Sequence, residues 1–185
     1  MPLKTLVKVG HITNLSDARY CAGMGVDMLG FNVVEGQDRY ITPKQFQEIR
    51  GWITGPLVVA QIYGLTSADA LPAILEQYRP DLLELGEEEL ARLESLPLPF
   101  ILNIEAQQTD QPFSTKPAYI QILPGNSVSE ASIPVIVTIS SLNQLENVLN
   151  TEGVGGIALH GGQELRPGLK TYDELADILE ALETD

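Results

Sequence analysis

The chain has 185 residues, 44% of them apolar, and 25 acidic against 11 basic side chains give it a formal charge of -14. That length supports one domain with a full core, and the apolar share excludes a disordered chain. So acidic a surface repels phosphate backbones, which excludes nucleic acid as a partner, and no apolar run reaches the roughly 18 residues of a membrane span.

The acids are spread along the chain, as in Glu87-Glu88-Glu89, and read as a solvated surface. A single cysteine, Cys21, allows no internal disulfide and suits a reducing compartment. The N-terminus has neither the apolar core nor the small-residue cleavage site of a secretion signal, so a cytoplasmic location is expected.

In chain order, the first apolar, β-branched run predicts a strand over 5–9. A helix follows over 14–25, capped by Asn14 or Ser16, with Leu15, Ala18, Ala22 and Met24 toward the sheet. Cys21 shares that apolar face and reads as an inert buried thiol. A strand over 28–34 leads to a helix over 43–52, with Pro43 in its first turn after Thr42. A strand over 57–63 leads to a helix over 67–78, capped by Thr66 or Ser67. Then come a strand over 82–85, a helix over 87–94 and a strand over 100–104.

The next two units are irregular. Pro112 and Pro117 interrupt the stretch before the strand over 119–123, and Pro124, Gly125 and Pro134 that before the strand over 135–139. A helix over 141–150, a strand over 156–159 and a helix over 172–182 complete the chain. Eight strands, each short enough to be buried on both faces, alternating with helices define an α/β chain. The expected fold is one (β/α)8 barrel over 1–185, short, with the helices of units five and six reduced. A doubly wound sheet shares this alternation. The missing helices would leave sheet uncovered, and a homodimer is the expected cover.

The strand ends carry the informative motifs. Lys8-Val9-Gly10-His11-Ile12-Thr13 resembles the Lys-Ile-Cys-Gly-Ile-Thr opening of the phosphoribosylanthranilate isomerase family. Gly25-Val26-Asp27-Met28-Leu29-Gly30-Phe31 is similar to that family's Gly-Ala-Asp-Ala-Leu-Gly-Phe, and Asp38-Arg39-Tyr40-Ile41-Thr42-Pro43 to its Ser-Pro-Arg-Tyr-Val-Ser-Pro. Near the C-terminus, the stretch from Gly161-Gly162 through Arg166-Pro167-Gly168 to Lys170 resembles Ser-Gly-Val-Glu-Thr-Ser-Pro-Gly-Val-Lys. The likeness is strong over about the first 60 and last 30 residues and weak between them.

The resemblance implies a barrel, and an Amadori rearrangement in tryptophan biosynthesis that needs an acid to open a sugar ring and a base to take a proton. The family's cysteine base falls on Gly10, and its aspartate acid falls within Gln121-Ile122-Leu123, which has no ionisable group. Its glycine-rich phosphate turns are absent after strand six and replaced by Ile139-Ser140-Ser141 after strand seven. Only Gly161-Gly162 still offers a close backbone approach to an anion. Arg39 matches the arginine that binds the substrate carboxylate.

The only two histidines, His11 and His160, end strands one and eight, which adjoin where a barrel closes. Each caps a loop, or the pair acts as base and acid, or holds a metal with Glu84 or Glu105. No metal-ligand spacing supports the last, so neither metal nor cofactor is expected. Lys8 is read as an inward substrate-binding lysine or as the partner of a strand-end acid such as Glu84. Glu84 and Glu105 receive no further role, and Tyr40 and Tyr63 read as packing residues.

Three functions remain open. The chain is an isomerase-like barrel that has lost the activity and binds a small anionic metabolite through Lys8, Arg39, Gly161 and Gly162. Alternatively it is an active isomerase using His11, or a regulatory partner docking through its reduced units.

Overall fold

The computed structural model describes residues 3–93, 95–104, 108–109, 115–128, 132–161, 164–166, 169–170 and 173–184. Eight parallel strands close on themselves: β1 (Leu6–Gly10), β2 (Met28–Asn32), β3 (Leu57–Gln61), β4 (Leu82–Gly86), β5 (Phe100–Ile104), β6 (Tyr119–Ile122), β7 (Val135–Thr138) and β8 (Val154–His160). Each strand pairs with its neighbours in the chain, and β8 returns to β1 in the register Leu6↔Gly156 through Gly10↔His160. Closure decides between the two folds the alternation allowed, since a doubly wound sheet stays open.

Six α-helices pack around the barrel: α1 (Leu15–Gly23), α2 (Pro43–Arg50), α3 (Leu71–Tyr78), α4 (Glu87–Arg92), α5 (Leu142–Leu149) and α6 (Asp173–Ala181). Their starts follow local chemistry. The Asn14 side chain accepts from the Asp17 N–H, and Thr42 forms a capping box with Gln45 ahead of Pro43. The third helix begins later than its pattern predicts. Pro72 has no N–H and is confined to the first turn, so residues Ala68–Ala70 form a 3-10 turn capped by Ser67 before α3 begins.

Among the described residues no helix follows β5 or β6, as the prolines there required. Two-residue strands, Gln108–Thr109 and Ser127–Val128, pair with each other in their place. The outward side chains of those strands, Leu102, Ile104, Ile120 and Ile122, are nonetheless buried within the single chain. The premise for a covering homodimer is therefore not met at these positions. No helix among the described residues is long and apolar enough to cross a membrane.

Two cores result from strand alternation. The larger lies between strands and helices, and there Cys21 is fully buried with its thiol pushed up to about 12 by burial, as inert as its position implied. The smaller, Met28, Val59, Leu82 and Ile101, fills the lower barrel. At that N-terminal face Asp27 and Asp81 each accept a backbone N–H of the preceding strand, from Val7 at 2.8 Å and Val58 at 2.7 Å. Inward positions one step higher are polar, and they build the site.

Candidate functional site

The middle of the barrel holds an ion pair. Lys8 and Glu84 are each 1% exposed, and Lys8 Nζ lies 2.6 Å from Glu84 Oε2. Lys8 also donates to Gln121 Oε1 at 2.6 Å, and Gln121 in turn donates to Thr138 Oγ1 at 3.1 Å. Glu84 Oε1 accepts from Tyr63 Oη at 2.8 Å and from Gln61 Nε2 at 3.2 Å. Burial opposes ionisation of Glu84, but the Lys8 charge and these hydrogen bonds outweigh it and hold its carboxyl below the usual range. Tyr63, half-buried and facing that carboxylate, is held well above its ordinary value by desolvation and the Glu84 charge, so it serves as a donor.

Above the ion pair, at the C-terminal ends of β1 and β8, the chain opens to solvent. His11 follows β1 with φ 58°, in the left-handed region that favours glycine. Its backbone N–H donates to Gln61 Oε1 at 2.9 Å. The Gln61 carboxamide lies against both Gly10 and Gly30: a Cβ on Gly10 would sit 3.1 Å from Gln61 Nε2, and one on Gly30 3.0 Å from its Cδ. The space a side chain at residue 10 would take is filled.

The His11 and His160 rings face each other with centroids 5.0 Å apart. They line a cavity of about 480 Å³ together with Arg39, Asp38, Glu174 and an apolar wall of Leu159, Leu175 and Ile178. Desolvation lowers the affinity of both imidazoles for a proton. For His160 the neighbouring His11 adds to it, and its value falls to about 4. Both rings are therefore neutral at pH 7, able to accept a hydrogen bond as well as donate one.

These shifts set a pH dependence. A histidine whose folded value is depressed contributes stability that is complete above its unfolded value near 6.5 and lost as pH falls toward the folded value. Glu84, depressed below 4.5, loses its contribution in the same direction at lower pH. The melting temperature is expected to fall between pH 6.5 and 4, and replacing both histidines by glutamine should flatten that decline while leaving the steeper loss below about pH 4.5. A second outcome concerns the backbone at His11. An L-residue in the left-handed region costs about 1–2 kcal/mol, so His11→Gly should exceed His11→Ala in stability by about 1 kcal/mol in urea denaturation.

The residues singled out in the sequence separate into three groups. His11, His160 and Arg39 meet at the cavity, where Arg39 Nη1 reaches the Gly161 carbonyl at 3.4 Å. Lys8 lies below it with its ammonium engaged by Glu84 and Gln121, so the ion-pair reading replaces that of a substrate contact. Gly161 lines the cavity, but its N–H donates to the Gly10 carbonyl at 2.8 Å and is not offered to an anion. Ser140, where the second phosphate turn would be, gives its N–H to Gln144 Oε1 at 2.8 Å. Gly162 and Glu105 lie outside the described residues.

Tyr63 proves to be a hydrogen-bond donor to Glu84 rather than a packing residue. No group of three metal-ligating side chains occurs among the described residues. Sequence reasoning passed over Gln61 and Gln121, although a glutamine ending an apolar strand such as Leu57-Val58-Val59-Ala60-Gln61 was the available signal.

The architecture and the site define a (β/α)8 barrel with its polar mouth at the C-terminal ends of β1 and β8, the face on which barrel enzymes carry their chemistry. Within that class the chain is similar to phosphoribosylanthranilate isomerases. It is 23% identical to N-(5'-phosphoribosyl)anthranilate isomerase of Xylella fastidiosa (strain 9a5c) over 97% of its own length and 92% of that protein. Phosphoribosylanthranilate isomerase from Thermus thermophilus superposes with a TM-score of 0.73 at 21% identity, over 96% of this chain and 98% of that one. A phosphoribosylanthranilate isomerase in complex with reduced 1-(o-carboxyphenylamino)-1-deoxyribulose 5-phosphate superposes at 0.70 with 16% identity, over 95% and 97%. The alignments span the middle of the chain as well as its ends. No protein-family model matches the chain.

Proposed function

We propose that this barrel has given up the proton-transfer chemistry of its relatives and binds a small carboxylated metabolite at the mouth between β1 and β8. One observation carries this reading. The position of the family's base is Gly10, whose side-chain space Gln61 fills, and the strand that carries the family's acid ends in Gln121-Ile122. Neither group can hold or release a proton at neutral pH.

Arg39 supports the binding half. Its side chain is 23% exposed at the cavity; Nη1 bonds the Gly161 carbonyl and Nε lies 3.8 Å from the exposed Asp38 carboxylate, which leaves the Nη2 edge for a carboxylate. A phosphate is served less well, because the Ser140 and Gly161 N–H groups are already engaged. Leu159, Leu175 and Ile178 offer an apolar body its surface. The carboxylates of Asp38 and Glu174 at the rim, and the net charge, disfavour multiply charged anions. A cytoplasmic location accords with the reduced, buried Cys21.

Thermal shift with benzoate, phenyl phosphate and inorganic phosphate tests the binding half. Benzoate should raise the melting temperature, and Arg39→Lys should remove most of that rise because lysine lacks the bidentate fork. If no carboxylate stabilises the protein, the binding reading fails.

A second reading, that the chain is an active isomerase, has an observation of its own. His11 and His160 are neutral, 5.0 Å apart and inside the cavity, and His11 Nδ1 is buried without a hydrogen-bond partner. That arrangement would let one ring take a proton while the other, neutral, donates a hydrogen bond to the substrate.

A further inference from the structure

We propose that Gln61 is a positioning residue that turns the His11 ring into the cavity. The inference rests on the reading that the β1–β8 mouth is the functional site, and goes beyond it in naming what shapes that mouth.

Gln61 stands on β3, two strands away from His11, yet it lies against Gly10 and bonds the His11 backbone. Its carboxamide can lie in only one sense. Nε2 donates to the Glu84 carboxylate at 3.2 Å, so Oε1 is the atom left to accept the His11 N–H at 2.9 Å. Glu84 is itself held by Lys8 at 2.6 Å and Tyr63 at 2.8 Å. The chain of contacts therefore runs from a buried ion pair to the backbone of a residue at the cavity wall.

Two features make that backbone contact matter. His11 sits at φ 58°, where a side-chain-bearing residue remains only if its surroundings hold it. Its Nδ1 has no hydrogen-bond partner, so that ring atom does not anchor the ring; the backbone aims it. Gly10 and Gly30 are the counterpart on the other side. Both lack the Cβ that would press on the Gln61 amide at 3.1 and 3.0 Å. Where the isomerase motif reads Cys-Gly, this chain reads Gly-His, and the side chain facing the cavity has moved one residue along. Gln61 fills the vacated volume and pins the newly occupied left-handed position.

Nuclear magnetic resonance of the two histidines tests this in the unliganded protein, so failure to find a bound carboxylate leaves the outcome readable. The charged and titratable groups around His11 are Glu84, Arg39, Lys8, Asp38 and the His160 ring. Gln61→Met keeps the volume and removes both hydrogen bonds. It should abolish the cross-ring contact between His11 and His160 and raise the His160 titration from about 4 toward 6.5. If Gln61→Met does not fold, Gly10→Ala decides: its methyl displaces the carboxamide from the His11 N–H while the Lys8 and Tyr63 contacts of Glu84 remain, and it should likewise weaken the ring contact and raise the His160 titration. A folded variant that keeps the wild-type ring contact and titration overturns the proposal. A variant that shifts them while benzoate fails to bind supports it and removes only the ligand reading.

Discussion

Lys8→Met is expected to lose about 3–5 kcal/mol of folding stability at pH 7, the usual cost of leaving one member of a buried ion pair without the other. Lys8 and Glu84 are both 1% exposed at the centre of the barrel, where water cannot replace the missing partner. Tyr63 and Gln61 would still donate to Glu84, but neither carries charge. The double variant Lys8→Met/Glu84→Gln should recover most of the loss, because a neutral pair avoids desolvating either ion. Lys8→Met should also reverse the sign of the Glu84 contribution to the pH dependence. With Lys8 present the Glu84 carboxyl lies below its ordinary value, so its contribution disappears on acidification. Without Lys8, burial dominates and raises it, so protonation favours the folded state and Lys8→Met should be destabilised less at pH 5 than at pH 7, relative to wild type at the same pH. Urea denaturation at the two pH values reads both effects. A loss under about 1 kcal/mol, in the range of an exposed pair, would show that the ion pair does not organise the interior.

Gly10→Cys, which installs the cysteine of the isomerase motif, is expected to destabilise the protein by about 1–3 kcal/mol, the range for overpacking a filled core. Its Cβ would meet Gln61 Nε2 at 3.1 Å, and the sulfur needs further room. Moving the carboxamide breaks its contacts with Glu84 and with the His11 N–H. Gln61→Ala opens the space at its own cost, so the two changes together should cost less than their sum by about 1 kcal/mol. Simple additivity would mean that residues 10 and 61 do not compete for the same volume.

The fold was largely legible in the chain because parallel strands buried on both faces are written as short apolar runs, and all eight runs became barrel strands. Prolines gave away the missing helices after β5 and β6. Ends were less legible: β8 runs from Val154 to His160, extended at both ends by pairing with β1 and β7, which no local pattern records. The site was half visible. His11, His160 and Arg39 stood out as chemistry-bearing residues at strand ends, and pairing with a strand-end acid such as Glu84 was one of the two readings of Lys8. Gln61 was not visible, because its meaning depends on a register that brings β3 beside Gly30 on β2 and Glu84 on β4. Nor could the sequence show that Gly161 spends its N–H on the Gly10 carbonyl. Both are tertiary facts, fixed only when the barrel closes.

The central claim is that the isomerase machinery has been dismantled at the ends of β1 and β6. The most direct measurement is the decay of phosphoribosylanthranilate fluorescence with the purified wild-type protein, run beside His11→Ala. The account predicts no acceleration over the uncatalysed decay in either, since an absent acid and an absent base are each worth roughly 10²–10⁴-fold in rate. Clear wild-type turnover that His11→Ala abolishes would contradict it and establish the histidine pair as a replacement for the lost groups.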